Sequence, residues 1–318
     1  MKLLVGIDIG GTKCAVSTGR LHEDGSITPL DKIKIPTQGT PEQILNTLCE
    51  HTATLCKDAT IDAIGISCGG PLDSTRGLVL SPPNLPGWDG IAVTELFEKR
   101  FGVPAKLQND ADACALAEWK FGAGRGMQNI VFLTCGTGFG AGLILGGRLY
   151  TGACDGAGEL GHVRLNEDGP VGYGKRGSFE GYCSGSGIAQ MAATMTLEQL
   201  QMGKRVSFCP DASHLGEITA KTIADAARAG DELALSIWDV CGSRLGRALA
   251  VIVDFLNPDA IILGSVYARC EELLRPACLR VIEQECLPLN AAKCQILPAG
   301  LGEQIGDYAA LAVASQLL

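Results

Sequence analysis

Apolar positions in the first part of the chain follow the two-residue period of strands before they take up the spacing of a helix. Leu3 to Ile9, Cys14 to Ser17 and Ile27 to Ile35 predict three strands of an antiparallel meander. Thr40-Pro41-Glu42-Gln43 predicts a helix start, because a capping hydroxyl precedes a proline and an acidic first turn. Ile61 to Ser67 predicts the next strand, so this part has mixed α/β structure.

A second strand–turn–strand pattern repeats the plan of the first. Asn129 to Cys135 predicts a strand, and Ala141 to Leu145 predicts its return after a turn of glycines with one threonine. The chain start runs in the same way through a Gly-Thr turn. Two unrelated glycine hairpins would also fit this pattern. The shared Gly-Thr and the similar flanks favour a duplicated domain, with one turn from each half facing a shared cleft.

The remaining residues of the second half predict helices around one buried strand. Segments 218–229 and 231–256 have helical spacing, whereas residues 150–190 are rich in glycine and predicted to be irregular. Ala260 to Leu263 is an apolar run that predicts a strand, and it leads directly into Gly264-Ser265.

The length and composition indicate two domains of a well-packed protein. The chain has 318 residues, of which 46% are hydrophobic and 19% are charged. A final helix, Gln304 to Leu318, is predicted to cross back to the first domain. We therefore predict a small domain from residues 1–118 plus 304–318 and a large domain from residues 119–303.

Charge and cysteine usage narrow the cellular setting and the partners. The net charge is −9 and no basic run is present, which argues against nucleic acid as a partner, and no apolar stretch is long enough to span a membrane. The 14 cysteines form no C-x2-C or C-x4-C pair, so no zinc-finger or iron–sulfur signature exists. The first residues have the pattern of a strand and not of a signal peptide. These features predict a reducing cytoplasm.

The two Gly/Thr turns are candidate phosphate sites. Successive glycine N–H groups can point at anionic oxygens, and a threonine hydroxyl adds a donor. In the first turn Lys13 would add a positive charge, and Asp8 could hold Mg²⁺ through water. Neither turn has Walker A spacing. Gly264 and Ser265 form a possible support for a nucleotide base. The candidate phosphate-binding residues of the turns are Gly10, Gly11, Thr12, Lys13, Gly136, Thr137 and Gly138.

An Asn-Asp pair ends a short β-type run at Gln108. Asn109 is a predicted N-cap and Asp110 a first-turn residue of a helix, at the carboxyl end of a strand where α/β sheets bind ligands. Ordinary capping would also explain this pair, and Asp112 is predicted to be only a first-turn acid. Polar side chains able to hydrogen-bond the hydroxyls of a sugar occur at Asn84, Asn109, Asp110, Glu159, His162 and Glu180.

The order of these motifs resembles the ROK family of sugar kinases, related proteins and repressors. The resemblance spans nearly the whole chain. The motifs that carry it are Asp8-Ile9-Gly10-Gly11-Thr12-Lys13, Gly69-Gly70-Pro71, Asn84-Leu85-Pro86-Gly87-Trp88, Asn109-Asp110, Gly136-Thr137-Gly138-Phe139-Gly140, Gly158-Glu159-Leu160-Gly161-His162 and Glu180 with Ser184-Gly185.

The resemblance implies a fold, an activity and residue roles. The implied fold is the actin-like ATPase (ribonuclease H-like) α/β fold, with two duplicated domains around a central cleft. The implied activity is transfer of phosphate from Mg-ATP to a hexose or N-acylhexosamine, usually at the 6-hydroxyl, by a dimer. Asp110 would be the base. The implied sugar ligands are Gly70, Asn84, Asn109, Asp110, Glu159, His162 and Glu180. Asp8 and the glycine turns, with Thr134, would bind the nucleotide phosphates and Mg²⁺.

One part of the chain departs from the family pattern. The family commonly carries C-x-C-G-x-x-G-C-x-E after the histidine, and its cysteines bind a structural zinc together with that histidine. Here the three cysteine places hold Val171, Tyr173 and Ser178, whereas Glu180 and the glycines remain. No thiolate is left at these places, so we predict no zinc site.

Two other functions are compatible with parts of the pattern. ROK repressors carry an added N-terminal helix-turn-helix, whereas this chain starts directly on the strand of the first turn and is acidic, which disfavours a repressor. A silent sugar- or nucleotide-binding protein is disfavoured by the intact Asp110 and glycine turns. The sugar stays open among glucose, N-acetylglucosamine, N-acetylmannosamine, allose and fructose.

Overall fold

The computed structural model describes residues 1–57, 59–136 and 138–318. Its strands are β1 (Lys2–Ile9), β2 (Lys13–Leu21), β3 (Ile27–Pro36), β4 (Ala63–Cys68), β5 (Leu72–Asp73), β6 (Leu78–Leu80), β7 (Asp89–Ala92), β8 (Ala105–Asn109), β9 (Ile130–Cys135), β10 (Phe139–Leu145), β11 (Arg148–Tyr150), β12 (Val171–Gly172), β13 (Lys175–Arg176), β14 (Ala260–Ser265) and β15 (Gln295–Pro298). Its α-helices are α1 (Pro41–Cys56), α2 (Val93–Phe101), α3 (Asp110–Phe121), α4 (Phe179–Cys183), α5 (Gly185–Gln201), α6 (Ala220–Arg228), α7 (Glu232–Leu256), α8 (Val266–Arg269), α9 (Glu271–Glu285), α10 (Pro288–Lys293) and α11 (Ile305–Ala314).

Two five-stranded sheets have the same strand plan. Their orders are β3-β2-β1-β4-β8 and β11-β10-β9-β14-β15, so each begins with three consecutive strands and continues with two later ones. In the first sheet β1 is antiparallel to β2 and parallel to β4, as a meander followed by crossovers requires. This repeated strand order agrees with the domain duplication predicted from the two Gly-Thr turns.

The chain forms two compact units, which we call unit 1 and unit 2. Unit 1 contains residues 1–132, 142–157 and 300–318, and unit 2 contains residues 133–141 and 158–299. The predicted domains, residues 1–118 plus 304–318 and residues 119–303, have other boundaries than these units and stay a prediction.

The core of unit 1 lies on both faces of its sheet. On one face β1, β4 and β8 pack with α1 and with the loop before β7, and the core there includes Leu48 and Trp88. On the other face α11 lies so close to β4 that a Cβ at Gly65 would overlap the carbonyl oxygen of Ala310. Glycine at that position is therefore a condition for the approach of α11. The strand is buried at every position, which explains its continuous apolar sequence.

One local prediction for unit 1 is confirmed, and one element was missed. Helix α1 begins after Thr40 with a reciprocal capping box that includes Gln43. The loop of residues 81–88, which contains three prolines, has no regular structure. The small antiparallel sheet β5-β6-β7 that flanks this loop was not predicted. Its strands have two to four residues, too few to show a period.

A buried carboxylate joins two distant segments of unit 1. Glu118 lies on α3 and is fully buried. Its Oε2 accepts hydrogen bonds from the backbone N–H of Ala123 at 2.8 Å and of Gly300 at 3.0 Å, and its Oε1 accepts one from Leu301 at 2.9 Å. Three backbone donors replace the water that a carboxylate loses on burial. Glu118 therefore fastens α3 to the segment that precedes α11.

Unit 2 is dominated by helices. The longest, α7, starts at the N-cap Asp231 and ends at Asn257 in the left-handed conformation, close to the predicted limits of 231–256. It packs against α9, and neither α9 nor α5 is among the helices predicted from the sequence. Among the described residues, none of the helices combines the length and the apolar character needed to cross a membrane.

Candidate functional site

Three parallel strands of unit 1 end level with one another. Ile9 of β1 is paired with Cys68 of β4, and Cys68 is paired with Asn109 of β8. Because the carboxyl ends of parallel strands share one edge of a sheet, the residues that follow these strands are brought together. This edge carries Asp8 just before the end of β1 and Asp110 just after the end of β8.

Asn109 and Asp110 have the local geometry that the sequence predicts. The side-chain oxygen of Asn109 accepts from the N–H groups of Ala111 at 2.9 Å and Asp112 at 3.4 Å, as an N-cap does. Oδ1 of Asp110 accepts from the N–H of Ala111 at 2.8 Å. The side chain of Asp110 is exposed and can meet a ligand.

Asp112 has a different environment. It is buried, and its Oδ2 accepts from the Nε2 of Gln108 at 3.0 Å. A buried carboxylate held by a neighbouring amide serves the structure of α3. The predicted distinction between a reactive Asp110 and a structural Asp112 thus has a physical basis in unit 1.

The two aspartates at the strand ends both have raised pKa values. Burial, and secondarily the negative charge of Asp110, raises the pKa of Asp8 to about 6 against the pull of Lys32 and Lys13. Surrounding protein atoms raise the pKa of Asp110 by desolvation, and the hydrogen bond from Ala111 opposes that rise. The negative charge of Asp110 disfavours the ionised form of Asp8, a divalent cation bound there would offset that effect, and oxygen ligands suit Mg²⁺.

The loops of unit 1 bring further predicted residues to the same edge. A Cβ at Gly11 would lie 2.6 Å from the carbonyl oxygen of Asn84, so the first Gly-Thr turn and the proline-rich loop are in contact. A Cβ at Gly70 would lie 3.5 Å from the Nδ2 of Asn109. The carbonyl of Gly10 accepts from the hydroxyl of Thr37 at 2.6 Å, which holds the turn in place. Exposed Thr12 and Lys13 complete this turn.

The second glycine turn belongs to unit 2 and is supported from two sides. The hydroxyls of Thr134 and Ser265 lie 2.9 Å apart, and the carbonyl of Gly136 accepts from the N–H of Gly185 at 2.8 Å. Ser265, which follows Gly264 at the end of β14, has a left-handed φ of 55°. Thr137, a predicted phosphate ligand, lies outside the described residues.

Glu180 contacts the second glycine turn. Its Oε2 accepts from the N–H of Phe139 at 3.1 Å, and a Cβ at Gly138 would lie 3.3 Å from the same oxygen. The ring of Phe139 lies 4.4 Å from that of Phe179, the residue before Glu180. Glu180 is one of the sugar ligands expected from the sequence, and the hydrogen bond to Phe139 leaves no signal in the sequence.

Glu159 and His162 lie at the two ends of one short turn. Leu160–His162 form a 3-10 turn, in which the N–H of His162 donates to the carbonyl of Glu159 at 3.2 Å. Glu159 is exposed and His162 is half-buried. Glu159 is the N-cap residue of this turn, and His162 is its last residue.

The fold and the residues at the strand ends define the class of protein. Two sheets of one plan, each with a glycine turn after its first strand, are the α/β architecture of actin-like ATPases. The match to the ROK family model spans residues 4–316, and the chain belongs to this family.

Similar proteins include both kinases and regulators. Glucokinase of Thermotoga maritima is 32% identical over 315 residues, which cover 98% of this chain and 96% of the relative. The crystal structure of a ROK family glucokinase from Streptomyces griseus in complex with glucose and AMPPNP has a TM-score of 0.75 and 31% identity, with 99% of each chain covered. A ROK family transcriptional regulator homologous to the E. coli MLC protein has a TM-score of 0.82 and 26% identity, over 99% of this chain and 78% of the regulator.

Proposed function

We propose that this protein is an ATP-dependent sugar kinase that transfers the γ-phosphate of Mg-ATP to a hydroxyl, the 6-hydroxyl, of a hexose or N-acylhexosamine. The protein is a phosphotransferase of the hexokinase and glucokinase type, in line with its glucokinase relatives. The observation that carries the proposal is the exposed carboxylate of Asp110, placed at the strand ends beside Asp8 and the first glycine turn.

Asp110 is the proposed general base. A base must be reachable by the substrate and have a pKa nearer to the working pH than an ordinary aspartate has. Asp110 is exposed, and desolvation raises its pKa. Its Oδ1 is held by the N–H of Ala111, so Oδ2 is the atom that would accept the hydroxyl proton as the sugar oxygen attacks the phosphate.

Asp8 and the backbone of the two glycine turns are the proposed phosphate and magnesium ligands. Mg²⁺, when bound, would neutralise charge on the phosphate oxygens. Asp8 would hold the ion through water, with Lys13 as a second cation beside the first turn. In unit 2 the turn that starts at Gly136 would offer N–H donors, and Gly264-Ser265 would support the nucleotide.

The proposed sugar ligands are polar groups on loops of each unit. In unit 1 they are Gly70, Asn84 and Asn109, and in unit 2 they are Glu159, His162 and Glu180. Carboxylate and amide groups can each make paired hydrogen bonds to neighbouring hydroxyls. A panel of sugars would determine which hexose binds best. We also propose a homodimer, checked by light scattering, and a cytoplasmic setting, in which fourteen free thiols would stay reduced.

The test combines a sugar panel with Asp110→Asn. ADP release is measured with glucose, N-acetylglucosamine, N-acetylmannosamine, allose and fructose. We expect Asp110→Asn to lower kcat by at least about 10²-fold with little change in sugar affinity, because the asparagine oxygen can still accept from Ala111. The control is Glu42→Gln, which removes an exposed first-turn carboxylate from α1. Turnover retained by Asp110→Asn would remove the residue from the role of base.

A sugar-responsive regulator is the second candidate. It is favoured by the TM-score of 0.82 with a regulator of which this chain spans 78%. A regulator or silent binding protein would bind a sugar of the panel without releasing ADP. Thermal-shift titrations with each sugar, run beside the ADP assay, would distinguish these functions.

A further inference from the structure

The segment between His162 and Glu180 lacks the donors of a metal site. We call residues 162–180 the clip segment. Among the described residues, no group of three or more His, Cys, Asp or Glu side chains could hold a metal ion. Val171 offers no metal-binding atom, and the hydroxyls of Tyr173 and Ser178 are not ligands that zinc prefers. The one cysteine nearby on α4, Cys183, is buried, and burial raises its pKa and disfavours the thiolate. These residues do not fit a zinc ion.

Backbone hydrogen bonds join the two ends of the clip segment. The N–H of Phe179 donates to the carbonyl of Val163 at 2.8 Å, and the N–H of Leu165 donates to the carbonyl of Gly177 at 2.8 Å. Val163 directly follows His162, and Phe179 directly precedes Glu180. The two proposed sugar ligands, His162 and Glu180, therefore directly adjoin the residues that the hydrogen bond from Phe179 to Val163 joins.

The first cysteine place of the family, Val171, is fixed by a side chain of α5. Nε2 of Gln190 donates to the carbonyl of Val171 at 2.9 Å, and Oε1 of Gln190 accepts from the N–H of the same residue at 3.2 Å. A carboxamide that pairs with both backbone groups of one residue fixes that residue in position and orientation.

The second place contacts the histidine directly. The rings of Tyr173 and His162 meet edge to face, with centroids 5.1 Å apart and an interplanar angle of 80°. Two residues further on, Nζ of Lys175 donates to the backbone carbonyl of His162 at 2.6 Å. Tyr173 thus contacts the imidazole ring, and Lys175 binds the backbone carbonyl of the same residue.

The third place has become part of a helix start. Ser178 is fully buried, and its Oγ accepts from the N–H of Gly181 at 3.1 Å as the N-cap of α4. Glu180 lies in the first turn of that helix. The serine that stands where the family has a thiolate therefore orients the turn that carries Glu180.

We propose that direct side-chain contacts in this protein replace a structural metal, and that Tyr173, Lys175 and Gln190 are positioning residues for His162 and Glu180. Each of the three cysteine places has its own substitute: an amide pair at Val171, a ring contact at Tyr173 and a helix cap at Ser178. The effect on sugar binding rests on the proposed function, whereas the absence of a need for zinc does not.

The first test measures metal content and ring geometry without any assay of activity. The protein purified without added metal contains less than about 0.1 zinc per chain by mass spectrometry. The triple variant V171C/Y173C/S178C, refolded with zinc, gains about one per chain. Stoichiometric zinc in the native protein, lost only on unfolding, would overturn the proposal. The chain has 4 histidines, so the imidazole proton signals of His162 can be assigned by NMR. Tyr173→Ala shifts those signals and Tyr173→Phe keeps them.

The second test separates positioning from stability. We expect Tyr173→Ala, Lys175→Ala and Gln190→Ala each to raise the sugar KM about tenfold with a smaller change in kcat, because displaced ligands weaken binding. Tyr173→Phe keeps the ring and should stay within about twofold of the native KM. The matched controls are Arg176→Ala, which removes the neighbouring exposed cation, and Gln201→Ala at the end of α5.

The two proposals fail in different ways. If no sugar is phosphorylated, the kinase proposal falls, and the zinc content and the His162 signals still decide the question of the clip segment. If the kinase is active and Tyr173→Ala leaves both KM and the His162 signals unchanged, the positioning role is refuted. A KM that rises equally for Arg176→Ala and Lys175→Ala would also refute it.

Discussion

Replacing Asp8 by asparagine should stabilise the empty protein at neutral pH. The pKa of Asp8 rises from 3.8 to about 6 on folding, mainly because the carboxyl is buried. Between these two values the folded chain keeps a proton that the unfolded chain has lost. The contribution of Asp8 to stability therefore falls as the pH rises through this range. Above about pH 6 the full penalty of an ionised, buried Asp8 is present.

The size of the effect follows from the shift. About two pKa units correspond to about 3 kcal/mol, because each unit is worth about 1.4 kcal/mol. Asp8→Asn should gain up to that amount at pH 7.5, about half of it at pH 5, and almost none below pH 4. For a unit of this size about 3 kcal/mol raises the melting temperature by at least about 5 °C.

The assay is thermal unfolding followed by circular dichroism between pH 4 and pH 8, without nucleotide or magnesium. Asp31→Asn is the matched control, because it removes an exposed carboxylate from the neighbouring meander. A melting temperature of Asp8→Asn that is lower than that of the native protein at pH 7.5, or that differs from it equally at every pH, would refute the reasoning. The same variant should lose phosphoryl transfer, so stability and the proposed activity would change in opposite directions.

Three further predictions concern unit 1. Glu118→Gln places an amide N–H group against one of the backbone N–H donors that the carboxylate now binds. It should lower the free energy of unfolding in urea by about 3 kcal/mol, whereas Glu42→Gln should leave it almost unchanged. Cys154 is the one exposed cysteine in the part of the chain that the structure describes. An aromatic disulfide reagent should therefore react rapidly with about one thiol per chain, and Cys154→Ser should abolish that rapid phase. Gly65→Ala should unfold the protein or lower its melting temperature sharply, because the added methyl overlaps the backbone of α11. The control Gly306→Ala adds a methyl that meets open space on that helix. Equal melting temperatures of the two variants would contradict the packing of α11 on the sheet.

Sequence patterns were sufficient where structure depends on nearby residues. The N-cap at Asn109 and the capping box at Thr40 each involve residues within a few positions of one another. The start of α3 and the location of Asp110 could therefore be predicted without knowledge of the fold. The repeated Gly-Thr turn likewise predicted the duplication, because each copy is a local hairpin.

Contacts between distant residues leave no periodic signal. The hydrogen bond from the N–H of Phe139 to Glu180 joins residues 41 positions apart, and that from Leu301 to Glu118 joins residues 183 positions apart. The raised pKa of Asp8 depends mainly on burial, and only the fold brings Asp110 and Lys32, which act on that pKa in opposite directions, near the carboxyl. The site residues could be named from the sequence, whereas their electrostatics and their supports required the fold.

The position of α11 in the chain has a consequence for folding during protein synthesis. Leu311 and Ala314 of this helix share a core cluster with Leu4 and Ala63 on the sheet of unit 1. A ribosome delivers α11 only after every residue of unit 2 has been joined. We expect the half of the protein that is synthesised first to reach its native packing last. Until α11 emerges, an apolar face of the first sheet is uncovered, and a nascent chain halted before residue 300 should be a ready client for chaperones.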